Sequence, residues 1–178
     1  MNIQESMEDL WSMETLLEAD FFYALALMQR SVAEEAPRRI AIRSAFAYLE
    51  GQLFSLKKTM EQMATEEKVT LSEKDIESVN EAKAKGEKKK MPLSENLLFS
   101  LKLAKRVARS DHVIDTDGAG YRDLITAIGI RDRLMHPKSK DQLSVGIAEV
   151  LTSQRGVAWF HDQFAGILAS RGRAKENA

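Results

Sequence analysis

One stretch narrows the fold more than any other. Between residues 42 and 63, Ile42, Phe46, Leu49, Leu53, Leu56, Met60 and Met63 follow one another at alternating steps of four and three. In an α-helix that alternation lines a single face with apolar side chains, the seam of a helix packed lengthwise on a neighbour. The spacing predicts a long helix over roughly 37–66. Pro37 suits its first turn, where a missing N–H leaves no hydrogen bond unmade. A chain organised around such a helix is a helical bundle.

The remaining segments agree. Ile3, Met7 and Leu10, then Leu17, Phe21, Ala24 and Met28, keep the spacing of one helical face, so residues 3–34 read as one long or two short helices. A shorter helix opens near 71, where Thr70 with Glu73, or Ser72 with Asp75, has the pattern of a capping box. Residues 83–92 are basic and contain Gly86 and Pro92, which predicts an exposed loop. Ser94 is placed to cap a helix running to about 109, with Leu97, Leu101, Ala104 and Ala108 on its apolar face. A turn at "DTDGAGY" precedes a helix over about 119–135. That turn lacks the pattern of a phosphate-binding loop. Ser139 with Gln142 repeats the capping-box pattern and predicts a last helical region to about 170, with Gly156 as a point of interruption.

Only 9 Gly and 3 Pro break the 178 residues, and no segment alternates with period two. The expected fold is all-α: an up-and-down helical bundle of about five to seven helices, in one domain with a core over roughly 15–170 and a disordered tail at 171–178.

Composition removes several classes of chemistry. The chain has no cysteine, so disulfides, thiolate metal sites and cysteine nucleophiles are excluded. His112 and His161 lie in no ligand cluster, so neither a metal nor a cofactor is expected. No serine stands in a nucleophile elbow. The N-terminus has no basic start with an apolar block, so no secretory signal is expected. The apolar run Phe21 to Met28 is too short to span a bilayer, and a cytoplasmic protein without membrane contact is the expectation. Trp11, Trp159 and Phe160 read as core or interface aromatics.

A net charge of −1 argues against a nonspecific nucleic-acid coat, which needs many cation–phosphate contacts. Charge is uneven, though: residues 1–20 hold six acids and no base. Opposite the apolar face of the 94–109 helix, Lys102, Lys105, Arg106 and Arg109 form a basic stripe. Such a stripe is either the solvated side of a helix or a track for an RNA backbone.

The most telling stretch is "RDRLMHPKSK", residues 131–140. On the helix before it, Tyr121, Ile125, Ile128 and Met135 make a seam whose missing member is Asp132. An acid on a buried stripe is costly unless paired. Arg131 stands beside it and His136 faces it at i+4. Pro137 disfavours the α conformation at His136, which places the histidine at the helix end, where the dipole favours a cationic imidazole. Arg131 and His136 are about 140° apart on an ideal helix, so the two reach one cleft only if the helix end distorts or a second copy supplies the other half.

An all-α chain with Arg131-Asp132-Arg133-Leu134-Met135-His136 ending a late helix resembles the HEPN domains (higher eukaryotes and prokaryotes nucleotide-binding). "SAFAYLEGQLFSLKK", residues 44–58, is similar to the early core helix of that family, with Glu50 as its embedded acid. Glu50 is either a partner of the motif or an exposed flanking acid, and its position on the flank of the 42–63 seam inclines to the second. The resemblance implies a metal-independent endoribonuclease of toxin–antitoxin or defence systems, working as a two-fold homodimer whose cleft joins two motifs. An antitoxin or regulatory protein would then be a further partner.

The implied catalytic residues are Arg131, Asp132 and His136. RNA brings its own nucleophile, the 2′-OH, so the protein needs acid–base groups and a cation. Imidazole suits the first task and a guanidinium fork the second, with Asp132 orienting one of them. The implied products are a 2′,3′-cyclic phosphate and a 5′-hydroxyl. Lys138 stands where some toxins of the family carry a modified tyrosine, and Asp132 where many active members carry asparagine. The alternative within the same fold is a catalytically inactive HEPN-like module that binds a nucleotide, a nucleic acid or a protein partner.

Overall fold

The structure, a computed structural model, describes residues 3–66, 69–79 and 91–172, without the side chains of 3–11 and of Lys74, Glu77 and Ser78. Of the loop expected at 83–92 and the tail expected at 171–178, residues 83–90 and 173–178 lie outside this description, as does the side chain of Trp11.

Among the described residues there are six α-helices and no strand: α1 (Ile3–Arg30), α2 (Glu35–Glu66), α3 (Glu73–Val79), α4 (Leu93–Val107), α5 (Ala119–Met135) and α6 (Ile147–Ala169). A short 3₁₀ turn, Lys140–Leu143, stands between α5 and α6. The expectation of an all-α helical bundle is met. No helix is long and apolar enough to cross a membrane.

The α2 seam is buried at every position from Ile42 to Met63. Burying a side chain of this size contributes about 1.5–3 kcal/mol, so the stripe is a main source of the bundle's stability. The chain falls into two compact units, Met1–Ser55 with Thr116–Phe160 and Leu56–Asp115 with His161–Ala178. Helices α2 and α6 contribute residues to both.

In the first unit, Phe21 of α1 stacks on Tyr48 of α2 with ring centroids 6.0 Å apart, and Tyr121 of α5 meets Trp159 of α6 at 5.1 Å. Helix α6 runs unbroken through Gly156, contrary to the expected interruption. Glycine is needed there for another reason: a β-carbon on Gly156 would lie 2.6 Å from the Leu124 Cα and 2.8 Å from its nitrogen. Bare backbone lets α5 and α6 approach closely. The face of α5 that is buried is Leu124, Ala127, Ile130 and Leu134. Of the expected seam, Ile125 and Met135 are exposed. Asp132 therefore does not sit on a buried stripe. Its side chain is 56% accessible. The side of α5 that turns inward is the one that meets α6 at Gly156.

In the second unit, Leu97, Leu101, Ala104 and Ala108 are buried as expected. Pro92, not Ser94, is the N-cap of α4, and no side chain caps it. The second of the two capping boxes considered is the one that forms. The Ser72 N–H donates to Asp75 Oδ2 at 2.8 Å, and the Asp75 N–H donates to Ser72 Oγ at 3.3 Å. The Ser72 hydroxyl also donates to Asp75 Oδ2, at 2.7 Å, and the Arg106 guanidinium adds a third donor to the same carboxylate.

Burial would raise the Asp75 carboxyl, but the hydrogen bonds from Ser72 and Arg106 outweigh it and hold the group below the usual carboxylate range. A depressed carboxylate contributes stability above its unfolded pKa and loses it as pH falls through the folded value. Ser72→Ala should therefore lower stability by about 1 kcal/mol at neutral pH. Urea titrations repeated at falling pH should show the gap between variant and parent closing through the acidic range. A gap that stays constant down to full protonation would mean that the box does not depend on the charge of Asp75.

Candidate functional site

Helix α5 carries the motif to its own C-terminus. The Arg131 guanidinium is held from two sides: Nη1 donates to Asp132 Oδ1 at 2.9 Å and Nη2 to Glu50 Oε1 at 2.6 Å. Glu50 is thus both exposed and a partner of the motif, although 81 residues separate the two in sequence. The planar fork makes this possible, because its terminal nitrogens point to two different acceptors at once. Of the two partners the sequence offered the Asp132 carboxylate, Arg131 and His136, the structure pairs it with Arg131.

His136 is the C-cap of α5. Its N–H still donates to the Asp132 carbonyl at 3.0 Å, but its φ of −129° and ψ of 56° have left the helix. Pro137 accounts for this, since its ring clashes with a helical residue before it. Its place at the end of α5 is the one the sequence predicted, and its side chain is exposed there.

The segment after the histidine is held by arginines that sequence reading did not single out. Arg133 reaches the Gln142 and Ser144 carbonyls with Nη1 and the Glu149 carboxylate with Nη2. From the first turns of α2, Arg39 donates to the Leu143 carbonyl at 3.1 Å and Arg38 to the Val145 carbonyl at 2.8 Å. Ser144 Oγ donates to Glu35, and Glu149 also accepts the Gly146 N–H. Main-chain carbonyls between two α-helices need donors of their own, and three guanidinium groups supply them for residues 142–145. The visible signal was "PRRIAIRS", a cluster of bases at the start of a helix.

Ser139 is the N-cap of the 3₁₀ turn and not of α6, and it makes no side-chain cap bond. The Gln142 side chain instead accepts the Lys138 N–H at 2.7 Å. Helix α6 accordingly starts later, at Ile147.

The basic stripe of α4 belongs to the second unit. Lys102 and Arg106 are exposed, while Lys105 and Arg109 are half-buried. Arg106 is engaged with Asp75. Arg109 has a φ of 49°, in the left-handed region that favours glycine. It closes α4 there, with the Ser110 N–H returning to the Lys105 carbonyl at 3.0 Å.

His112 is tied to Gln163 at 3.1 Å. Among the described residues no three His, Cys, Asp or Glu side chains gather into a possible metal site. The structure brings Arg131, Asp132 and Glu50 together, with His136 just over one turn further on. Such a site offers a fixed cation for an anionic ligand and an accessible imidazole for proton transfer. No protein-family model, no curated protein and no solved structure matches the chain.

Proposed function

We propose that the chain is a metal-independent endoribonuclease of the HEPN type, acting as a toxin or in phage defence in the cytoplasm. The observation that supports this reading is a guanidinium held from two sides by Glu50 and Asp132 at one helix end, with the exposed imidazole of His136 beyond it.

In this reading the substrate's 2′-oxygen attacks the adjacent phosphorus. A 2′-O–P bond forms, the bond from phosphorus to the 5′-oxygen breaks, and the leaving oxygen is protonated. His136 takes the 2′-OH proton or supplies the one the leaving group needs. In a two-fold dimer the two histidines divide those tasks. Arg131 neutralises the charge that builds on the non-bridging oxygens. Asp132 and Glu50 orient the guanidinium. Lys102, Lys105 and Arg109 serve as further RNA contacts, with Arg106 set aside because Asp75 already holds it.

One feature favours a second reading. Both arms of the Arg131 fork end on carboxylates, which suits a catalytically inactive HEPN-like module that binds a nucleotide, a nucleic acid or a protein partner such as an antitoxin.

The test is incubation of a mixed RNA pool with the purified protein in EDTA, beside His136→Ala. The expected result is cleavage to 2′,3′-cyclic phosphate ends, slowed about 10²–10⁴-fold in the variant. No cleavage by the parent favours the binding module. Equal cleavage by both proteins overturns the assignment of His136.

A further inference from the structure

The three arginines at the start of α2 are engaged in different ways. Arg38 places its two terminal nitrogens on the Val32 and Val145 carbonyls. Arg39 is divided between the Leu143 carbonyl and the Glu35 carboxylate. Arg43 donates only Nη2, to the Leu134 carbonyl at 3.2 Å. Its side chain is exposed, and among the described residues it has no carboxylate partner.

The position of that single bond matters. The Leu134 carbonyl is among the last of α5, which have no partner within their own helix, and it lies two residues before His136. The bond therefore anchors a cation that has no carboxylate partner among the described residues at the end of α5 that carries the motif. Arg43, Ala47 and Glu50 follow at steps of four and three, so they share one face of α2, and all three are exposed. Arg43 meets Leu134 of α5, and Glu50 meets Arg131. The small side chain of Ala47 leaves an open floor between them. Two guanidinium groups thus flank one shallow strip, and the residues that frame it come from helix faces rather than from a loose loop.

A guanidinium with unused N–H donors and no acid to neutralise it has the chemistry of a phosphate ligand. Arg43 and Glu50 are about 10 Å apart along the helix axis, so the strip accommodates more than one nucleotide. We infer that Arg43 binds a backbone phosphate of single-stranded RNA next to the one that Arg131 meets, with the strand lying across Ala47. The inference rests on the ribonuclease reading of the motif and adds to it a substrate-binding residue outside the motif.

The experiment uses His136→Ala as the parent, so that RNA stays intact, and titrates it with a short fluorescein-labelled single-stranded RNA. Arg43→Ala and Arg43→Gln are expected to weaken binding about tenfold and to flatten the salt dependence by about 0.7. Arg43→Lys should stay within about threefold of the parent and keep its salt slope. Loss of the Leu134 carbonyl bond alone would leave the salt slope unchanged, so a flattened slope in both the Ala and Gln variants assigns the effect to charge and not to helix capping. Parent-like affinity and slope in Arg43→Gln would overturn the proposal, and so would a parent that does not bind the RNA.

Cleavage by the same Arg43 variants with His136 intact separates the two readings. If the native chain does not cut but Arg43→Gln still loses affinity, the ribonuclease assignment falls and Arg43 stands as a phosphate site. If the native chain cuts and Arg43→Gln binds and cuts equally well, Arg43 falls and the motif stands.

Discussion

Gly156→Ala is expected to destabilise the protein by about 3 kcal/mol. In an exposed helix interior this change would add up to about 1 kcal/mol of stability, because alanine loses less backbone entropy. Here the sign reverses. The new methyl group would stand 2.6 Å from the Leu124 Cα and 3.1 Å from the Asp123 carbonyl carbon. Those atoms are backbone of α5 and cannot rotate away as a side chain could. The two helices would have to separate, and the contacts that bury Leu124 and Val157 would loosen together. Because α5 also carries Arg131 and His136, the shift would reach the site. Gly129, on the same helix, supplies the control. A β-carbon there meets nothing within 4 Å, so Gly129→Ala should stabilise by about 0.5–1 kcal/mol. Urea midpoints of the two variants make the comparison. A Gly156→Ala protein as stable as its parent would mean that the helices do not touch as described.

The second large effect concerns Arg131. On the proposed mechanism, Arg131→Lys should lose nearly as much activity as Arg131→Ala, each about 10²–10³-fold in kcat. Charge alone is not what the position uses. A guanidinium reaches Glu50 with one nitrogen and Asp132 with another, while its plane still offers N–H groups to a phosphate. An ammonium is a single point with three donors and cannot hold that geometry. Rates of cyclic-phosphate formation under single-turnover conditions would check this. A lysine variant keeping a third or more of the parental rate would show that a nearby positive charge suffices. The Glu50 and Asp132 contacts would then be incidental.

The parts of the fold that could be read from sequence were those in which spacing leaves one solution. Seven large apolar residues on one helical stripe mark a face that has to be buried, and each of them from Ile42 to Met63 is inside. Ser72 and Asp75 satisfy each other's backbone N–H groups locally, so no distant element was needed to foresee the box. Helix α5 was harder, because apolar residues occur on adjacent faces. The spacing of Tyr121, Ile125, Ile128 and Met135 suggested one side, and the side that is buried is the one carrying Leu124, next to Gly156. That rotation moves Asp132 from a buried stripe to the surface.

In the candidate site, the nearness of Arg131 and Asp132 and the placing of His136 before Pro137 are consequences of neighbouring residues and could be read directly. Which side of its own helix Glu50 would serve could not be, because its acceptor role depends on a helix 81 residues away. The arginine bonds to residues 142–145 were less legible still. Their acceptors are main-chain oxygens, which every residue has and no side-chain pattern marks.

Those same acceptors determine what the segment after the histidine can tolerate over evolutionary time. A bond that ends on a carbonyl does not register the side chain beside it, so the identity of Leu143 can drift with little loss, whereas Gln142 and Ser144 also bond through their side chains to the Lys138 N–H and to Glu35. Length cannot drift in the same way. Removing one residue between Pro137 and Gly146 would shift the four carbonyls that Arg38, Arg39 and Arg133 hold. Relatives that keep this architecture should therefore share the number of residues here more faithfully than the residues themselves.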